Sequence, residues 1–374
     1  MLVATGRPFY KLFMFKPIIL PGSSSSLASS RKAPSPSLSF RVTAALLLIV
    51  PVSQIFISLI LKTTRKIPSN VSVSPPKMDQ TQPRFVIQAS EAESMAKASG
   101  LTLTELLPSL VKSAQTLARP TISKFHVAAV GVGPSGRIFV GVNLEFPGLP
   151  LHHSVHAEQF LVTNLSINAE THLDYFVVSH APCGHCRQFL QEIRGAPEIK
   201  LLITSEENPE FTPLSKLLSH RFGPDDLLDK ELPLLLEAHN NGLSFLSENY
   251  NLPNVISNGY TVSDKLKFAA FEAANKSHAP YSGSPSGVAL MDSDGKIYKG
   301  SYTESAAYNP SLGPVQAAVV AYIAGGGGDY DKIVAAVLVE KDGAVIKQEP
   351  TARLLLQSIS PECQFKVFHC NSGV

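Results

Sequence analysis

His156 and Glu158 stand one residue apart, and Pro182-Cys183-Gly184-His185-Cys186 begins 24 residues after the glutamate. One imidazole and two thiols in this order make a zinc ligand set, because His nitrogen and Cys sulfur are the donors that tetrahedral Zn2+ favours. Structural zinc sites close with four protein ligands, and catalytic ones keep a position open for water that becomes a nucleophile near neutral pH. With His156, Cys183 and Cys186 as ligands, the position stays open. Glu158 then offers a carboxylate close to the metal but outside its shell, suited to taking a proton from that water and passing it to a leaving group. The competing structural reading needs a fourth ligand. No second C-x-x-C exists, although His180 or His185 could in principle close the site.

The elements that must hold these residues follow from pattern. Apolar runs at His126 to Val132 and Arg137 to Val142 flank Gly133-Pro134-Ser135-Gly136 and predict a β-hairpin. Asp174 to His180 and Ile199 to Thr204 are further buried strands, and helices start near His156 and near Cys183. Strands alternating with helices imply a layered α/β domain. Pro182 at a helix start places Cys183 in the first turn, where free N–H groups favour a thiolate. On a helical first turn Glu158 would point about 200 degrees round from His156. Ala92 to Leu117 predicts a helix in two pieces around Pro108, with Leu106, Leu107, Leu110, Val111, Ala114 and Leu117 on one face.

A weak internal repeat lies in the rest of the chain. Gly136-Arg137-Ile138, Gly141 and Glu145 recur as Gly295-Lys296-Ile297, Gly300 and Glu304 at an offset of 159. With one inserted residue, Val155-His156-Ala157-Glu158 falls opposite Val315-Gln316-Ala317-Ala318, so the second copy would lack the metal and acid positions. The expected division is an N-terminal extension over 1–77, a catalytic domain over 78–204, a connecting segment over 205–259 with a docked piece around Phe222, and a degenerate copy over 260–374.

Charge separates substrate classes. Of the 32 Lys and Arg, ten fall in residues 1–77, where no Asp or Glu occurs; the other 22 face all 30 acidic residues in 78–374, a net of about −8. Binding a nucleic-acid backbone calls for a basic patch, so an acidic body argues against a polynucleotide partner. Four cysteines in 374 residues, two of them in the metal motif, are no disulfide framework and point to a reducing compartment, the cytosol.

The H-x-E and P-C-x-x-C order is that of the zinc-dependent nucleobase deaminases. With Ser123-Lys124-Phe125, Asn143-Leu144-Glu145-Phe146, His156-Ala157-Glu158-Gln159, Pro182 to Phe189, Arg221-Phe222-Gly223-Pro224-Asp225 and Glu304 to Pro310, the chain resembles the cytidine deaminases from about Phe85 to Cys370. The likeness is to the larger, two-domain, homodimeric kind of plant and bacterial type, whose metal set takes the His-Cys-Cys form found here. The resemblance implies an α/β fold of three layers, α-β-α, present twice, with an active N-terminal copy, a degenerate C-terminal one and one zinc per subunit. It implies that Asn143 and Glu145 bind the ribose 3′-hydroxyl, that Phe125 packs on the base, that the Ala157 N–H meets the base carbonyl and that Phe222 covers the pocket. It assigns the Ala307-Tyr308 region to the partner subunit. The implied reaction is deamination of free cytidine and 2′-deoxycytidine to the uridines and ammonia in pyrimidine salvage. Its rivals are deamination of cytosine within RNA or DNA, and a non-enzymatic zinc-stabilised scaffold.

The first 77 residues stand apart. Residues 1–41 are basic and rich in Ser and Pro, Val42 to Leu61 is a 20-residue stretch without charge, and Lys62, Arg65 and Lys66 follow. Such a stretch is long enough for one membrane span, although Pro51, Ser53 and Gln54 interrupt it. A membrane anchor, a plastid or mitochondrial transit peptide, and upstream sequence absent from a working protein that starts near Met78 are the three readings.

Overall fold

The computed structural model describes residues 84–245 and 262–372. The apolar stretch at 42–61 and the start at Met78 lie outside them. Among the described residues no helix is long and apolar enough to cross a membrane.

The chain enters through β1 (Val86–Ile87), α1 (Ala89–Ser99) and α2 (Leu103–Ala114). The helical region is broken at Gly100, not at Pro108. Gly100 adopts φ 67° and caps α1 in the left-handed conformation that glycine reaches without a Cβ penalty. Thr102 then restarts the helix through a capping box, its hydroxyl taking the Glu105 N–H while Glu105 takes the Thr102 N–H. Pro108 sits inside α2 at the cost of one backbone bond, since the packing of Leu106, Leu107, Leu110 and Val111 outweighs the break.

β2 (Ala128–Val132) and β3 (Ile138–Val142) form the predicted hairpin. Every residue of both is buried, so the sheet is covered on both faces. α3 (Ala157–Ile167), β4 (Tyr175–Val178), α4 (Gly184–Phe189) and β5 (Lys200–Ile203) follow, with β4 antiparallel to β2 and parallel to β5. β6 (Thr212–Pro213) closes the sheet, whose order is β1-β3-β2-β4-β5-β6.

β7 (Leu243–Phe245), α5 (Val262–Asn275), β8 (Ser286–Asp292), β9 (Ile297–Ser301), α6 (Pro314–Ala324), β10 (Ile333–Lys341), α7 (Glu349–Ile359) and β11 (Gln364–Ser372) build a second sheet in the order β7-β11-β10-β8-β9. Its inner run β9-β8-β10-β11 repeats β3-β2-β4-β5 strand for strand, including the one parallel pair. The described part of the segment between the copies, residues 205–245, supplies an edge strand to each sheet: β6 to the first and β7 to the second.

The repeat's register differs from the sequence alignment beyond Glu304. The bridge between Leu144 and Val155 is matched by one between Thr303 and Leu312. Ten residues (145–154) separate the first pair and eight (304–311) the second, so the loop has lost two residues rather than gained one. His156 therefore falls opposite Gly313, Glu158 opposite Val315 and Gln159 opposite Gln316. Helix packing gives the same register. A Cβ on Gly141 would lie 2.2 Å from the Ala157 carbonyl and 2.4 Å from Leu161 N, and one on Gly300 would lie 2.4 Å from the Pro314 carbonyl and 2.0 Å from Ala318 N.

α3 is buried on all sides from Ala157 to Leu165, and α6 from Pro314 to Ile323. The two helices pack on each other and on their own sheets, so residues from both copies share one hydrophobic core. Gly141→Ala and Gly300→Ala should each lower unfolding free energy by about 1–3 kcal/mol in a urea titration, the usual cost of overpacking. An unchanged midpoint for Gly300→Ala would show that α6 does not sit on β9 as α3 sits on β3.

Candidate active site

Two helix starts meet at one place. His156 is the N-cap of α3 (ψ 156°) and Cys183 the N-cap of α4 (ψ 167°), both extended, with Cys186 in the first turn of α4. Cys183 thus precedes its helix instead of lying within the first turn. The extended backbone at His156 also replaces the 200-degree helical argument for Glu158: the carboxylate reaches the site because α3 begins beside it. Its Oε2 lies 3.2 Å from Cys186 Sγ.

The ligand atoms are spaced for a tetrahedral ion. His156 Nδ1 is 3.5 Å from Cys183 Sγ and 3.3 Å from Cys186 Sγ, and the sulfurs are 3.8 Å apart. Zinc bonds of about 2.3 Å to sulfur and 2.0–2.1 Å to nitrogen give tetrahedral edges of about 3.8 Å between sulfurs and 3.6 Å from sulfur to nitrogen. His156, Cys183 and Cys186 fit the ion. His185 joins them in a looser group of four, all ligand atoms within 4.8 Å. Its Nε2 meets the Asn309 carbonyl at 3.2 Å, and its buried Nδ1 has no hydrogen-bond partner. His180 is not in the group; its Nδ1 meets Ser179 Oγ and its ring packs 4.5 Å from Phe125.

Burial and proximity set the charges. Cys183 carries the negative charge of the sulfur pair: the hydrogen bond from Cys186 first, then His156, brings its thiol down to about 3. That thiolate, with burial second, pushes Cys186 up. The Cys183 interaction raises His156. Burial raises Glu158, which is 4% exposed, and a carboxyl shifted that way can both hold and release a proton. Burial lowers His185 and keeps it neutral.

The sugar and base candidates are held by bonds of their own. Asn143 Oδ1 takes the Val127 N–H at 2.9 Å and Nδ2 donates to the Phe125 carbonyl at 2.9 Å, bracing the segment before β2. Glu145 takes Ile122 N and Ser123 N at 2.8 Å and Ser123 Oγ at 2.5 Å. Those bonds fill three of a carboxylate's roughly four lone-pair directions. The second copy repeats the nest, with Glu304 taking Tyr281 N, Ser282 N and Ser282 Oγ. Phe125 is 51% and Phe222 46% exposed, so neither packs as a core residue. Ala157 is the first residue of α3, where its N–H has no partner within the helix. Phe222 is tied to α4 by the Gln188 side chain on its carbonyl.

One contribution left no sequence signal. Gln159 takes the His156 N–H at 3.3 Å and donates to the Pro310 carbonyl at 3.0 Å. With the His185 contact to Asn309, the loop of the second copy reaches the site within a single chain. The partner-subunit assignment of Ala307-Tyr308 thus gains a neighbour that needs no partner. Nothing at Gln159 or His185 announces a contact with residues more than a hundred positions away.

In protein stripped of metal, iodoacetamide should alkylate exposed Cys183 at a rate nearly constant from pH 5 to pH 8, because its thiol is already ionised above about 3. Buried Cys186 should react little and added zinc should protect Cys183. A Cys183 midpoint near the ordinary thiol value of about 8.5 would refute this arrangement of charge.

Comparison with known proteins agrees with the geometry. Two patterns for the cytidine and deoxycytidylate deaminase zinc-binding region match the chain, one over residues 102–202 and the other over 214–353. Cytidine deaminase 1 of Arabidopsis thaliana is 62% identical over 77% of this chain and 98% of its own length. Cytidine deaminase 7 of the same plant is 48% identical over 78% of this chain and 95% of its own. A solved cytidine deaminase from Burkholderia pseudomallei is 25% identical, with a TM-score of 0.29, over 32% of this chain and 98% of that one. With two zinc-binding deaminase domains and relatives matched along nearly their whole length, the chain belongs to the cytidine deaminase family of zinc-dependent hydrolases.

Proposed function

We propose that the enzyme deaminates free cytidine and 2′-deoxycytidine to uridine and 2′-deoxyuridine, releasing ammonia, in pyrimidine salvage. The observation that carries this reading is buried Glu158 at 3.2 Å from Cys186, beside three ligand atoms at tetrahedral spacing. Bound zinc supplies a Lewis acid that makes water nucleophilic near neutral pH. His156, Cys183 and Cys186 hold it. Glu158 takes one proton from the attacking water and delivers it to the ring nitrogen; it then takes the second proton, from the hydroxyl now on the ring carbon, and passes it to the departing amine as the carbonyl forms and ammonia leaves. The Ala157 N–H donates to the base carbonyl, Phe125 lies against the base and Phe222 covers it. Asn143, with a free N–H, and Glu145, with its remaining lone pair, meet the 3′-hydroxyl as donor and acceptor. That grip and the net acidic body disfavour a polynucleotide, whose chain runs through the same hydroxyl.

The N-terminal copy, 78–204, does the chemistry; 205–259 connects it to a degenerate copy, 260–374, with Gly313 and Val315 at the metal and acid positions. The enzyme works as a cytosolic homodimer with one zinc per subunit. Phe125, Phe222 and Tyr308, 51%, 46% and 67% exposed around the site, are the apolar surface that a partner would cover.

Glu158→Gln should retain zinc and lose turnover of cytidine by about 100-fold to 10,000-fold, the range of a lost general acid–base. Undiminished turnover would remove Glu158 from the mechanism. Assayed side by side, free cytidine should be deaminated and single-stranded oligonucleotides should not; activity on oligonucleotides alone would reverse the choice of substrate. 3′-Deoxycytidine should lose about 10-fold in kcat/KM, the equivalent of about 1.4 kcal/mol. Equal values would take the 3′-hydroxyl away from Asn143 and Glu145.

A further inference from the structure

Glu192 has no exposed surface. It ends the short 3-10 turn Leu190–Glu192 that continues from α4, the helix carrying Cys186. Its carboxylate makes its hydrogen bonds to the second copy: Oε1 takes the Ala306 N–H at 2.7 Å, and Oε2 takes the Tyr281 hydroxyl at 2.6 Å and faces His278 Nε2 at 3.2 Å. Ala306 lies in the loop whose Asn309 and Pro310 carbonyls meet His185 and Gln159. Gln159 in turn holds the His156 N–H. One loop of the second copy thus touches the starts of both ligand-bearing helices, and Glu192 grips it at its base.

The loop needs an anchor. Tyr308, a residue with a Cβ, sits at φ 61°, a left-handed conformation that costs of order 1 kcal/mol or more and persists only where surroundings enforce it. The turn is closed by Tyr308 N on the Ser305 carbonyl at 2.8 Å and Ser305 N on Ser311 Oγ at 3.0 Å.

Hydrogen counting defines the anchor further. His239 Nδ1 lies 3.0 Å from the Glu237 carbonyl, which can only accept, so His239 must donate there. His239 Nε2 is then a lone pair, and it lies 2.8 Å from His278 Nδ1, which must donate to it. His278 Nε2 would be a second lone pair, facing Glu192 Oε2. Two neutral imidazoles bring two protons to three links. A third proton is needed to complete the link between His278 and Glu192, which are 2% and 0% exposed.

We propose that Glu192 is a positioning residue for the deamination reaction, holding the second-copy loop Ser305–Pro310 against the helix starts of the metal site through its bond to Ala306 and its shared proton with His278. The proposal rests on reading His156, Glu158, Cys183 and Cys186 as the reaction centre. Glu192→Gln keeps every link without the extra proton: its amide donates to His278 Nε2 and to the Tyr281 oxygen, and its carbonyl takes Ala306 N–H. Glu192→Leu, similar in size, leaves all three partners unpaired.

The experiment uses the zinc-loaded full chain and its two variants, with zinc content, thermal unfolding, cytidine kinetics and ¹⁵N spectra of the histidine rings. Glu192→Gln should stay within about 3-fold of the parent kcat/KM, and Glu192→Leu should keep zinc and lose about 100-fold, the scale of a 1 Å misplacement. In the spectra the parent should show His278 with both nitrogens protonated or in a short bridge, and Glu192→Gln should show two neutral rings. Parent-like kinetics in folded Glu192→Leu, or an equal loss in Glu192→Gln, would overturn the positioning role. A neutral His278 facing Glu192 in the parent spectrum would overturn the shared proton even where the leucine variant fails to fold. A Glu158→Gln variant with full activity would instead remove the reaction centre on which the role depends, while leaving the spectra as expected.

Discussion

Two sulfurs held 3.8 Å apart cannot both be negative without a cation between them. Without one, Cys183 takes the charge and Cys186 is driven to its neutral form. That conflict is a stored preference for a divalent ion, and the rest of the fold exists to maintain it. Parallel β4 and β5 set the turn that opens α4, and the absent side chain of Gly141 lets α3 lie directly on β3, so that the two helix starts come together. The positive ends of both helices then point at the thiolate side of the site. Glu158 brings a carboxylate within reach of a sulfur there, and its burial separates it from the solvent that would otherwise fix its proton state.

The duplicated carboxylate nest shows which parts of the pocket are architecture. Glu304 receives the same two amides and hydroxyl as Glu145, although its copy has Gly313 and Val315 where the first has His156 and Glu158. A nest kept where no metal ligands remain has a task in the fold: it closes the turn entering the sheet. Glu145 performs that task too, with one lone-pair direction left over. In the first copy the same turn leads to Phe125, whose exposed ring packs 4.5 Å from His180.

The legible parts of the sequence were those where one residue's chemistry or one run's burial sufficed. β2, β3, β4 and β5 are short apolar runs buried on both faces, and the metal motif announces itself because few other uses require that spacing. The helix break went to Pro108, the stronger punctuation mark, whereas the chain turns at Gly100 and restarts on the Thr102 box. β1, β6 and β7 are two or three residues long and carry no period to detect. The repeat's register slipped where the loop after Glu304 is two residues shorter, since small residues and alanines on α6 offer several equally good matches. Gln159, His185 and Glu192 act through carbonyls and amides on the second copy, and backbone groups leave no letter in a sequence.

The position of α3 argues that the second copy is not separable from the first. A helix buried on every side can have a sheet on one face only if another apolar body lies on the opposite one, and α6 is that body. Removing it would bring the side of α3 that α6 covers into water at about 25 cal/mol for each Å2 of apolar surface, on the very helix that positions His156 and Glu158. Ligand side chains can be absent from a copy that covers α3, because Gly313 and Val315 at the start of α6, where the first copy has His156 and Glu158, leave that covering intact. Geometry cannot be lost in the same way. Gly300 must stay without a side chain for α6 to lie on β9, and the loop between Thr303 and Leu312 must keep its path to reach the first copy's helix starts. The second copy is therefore held to a shape by the helix of the first copy that it covers.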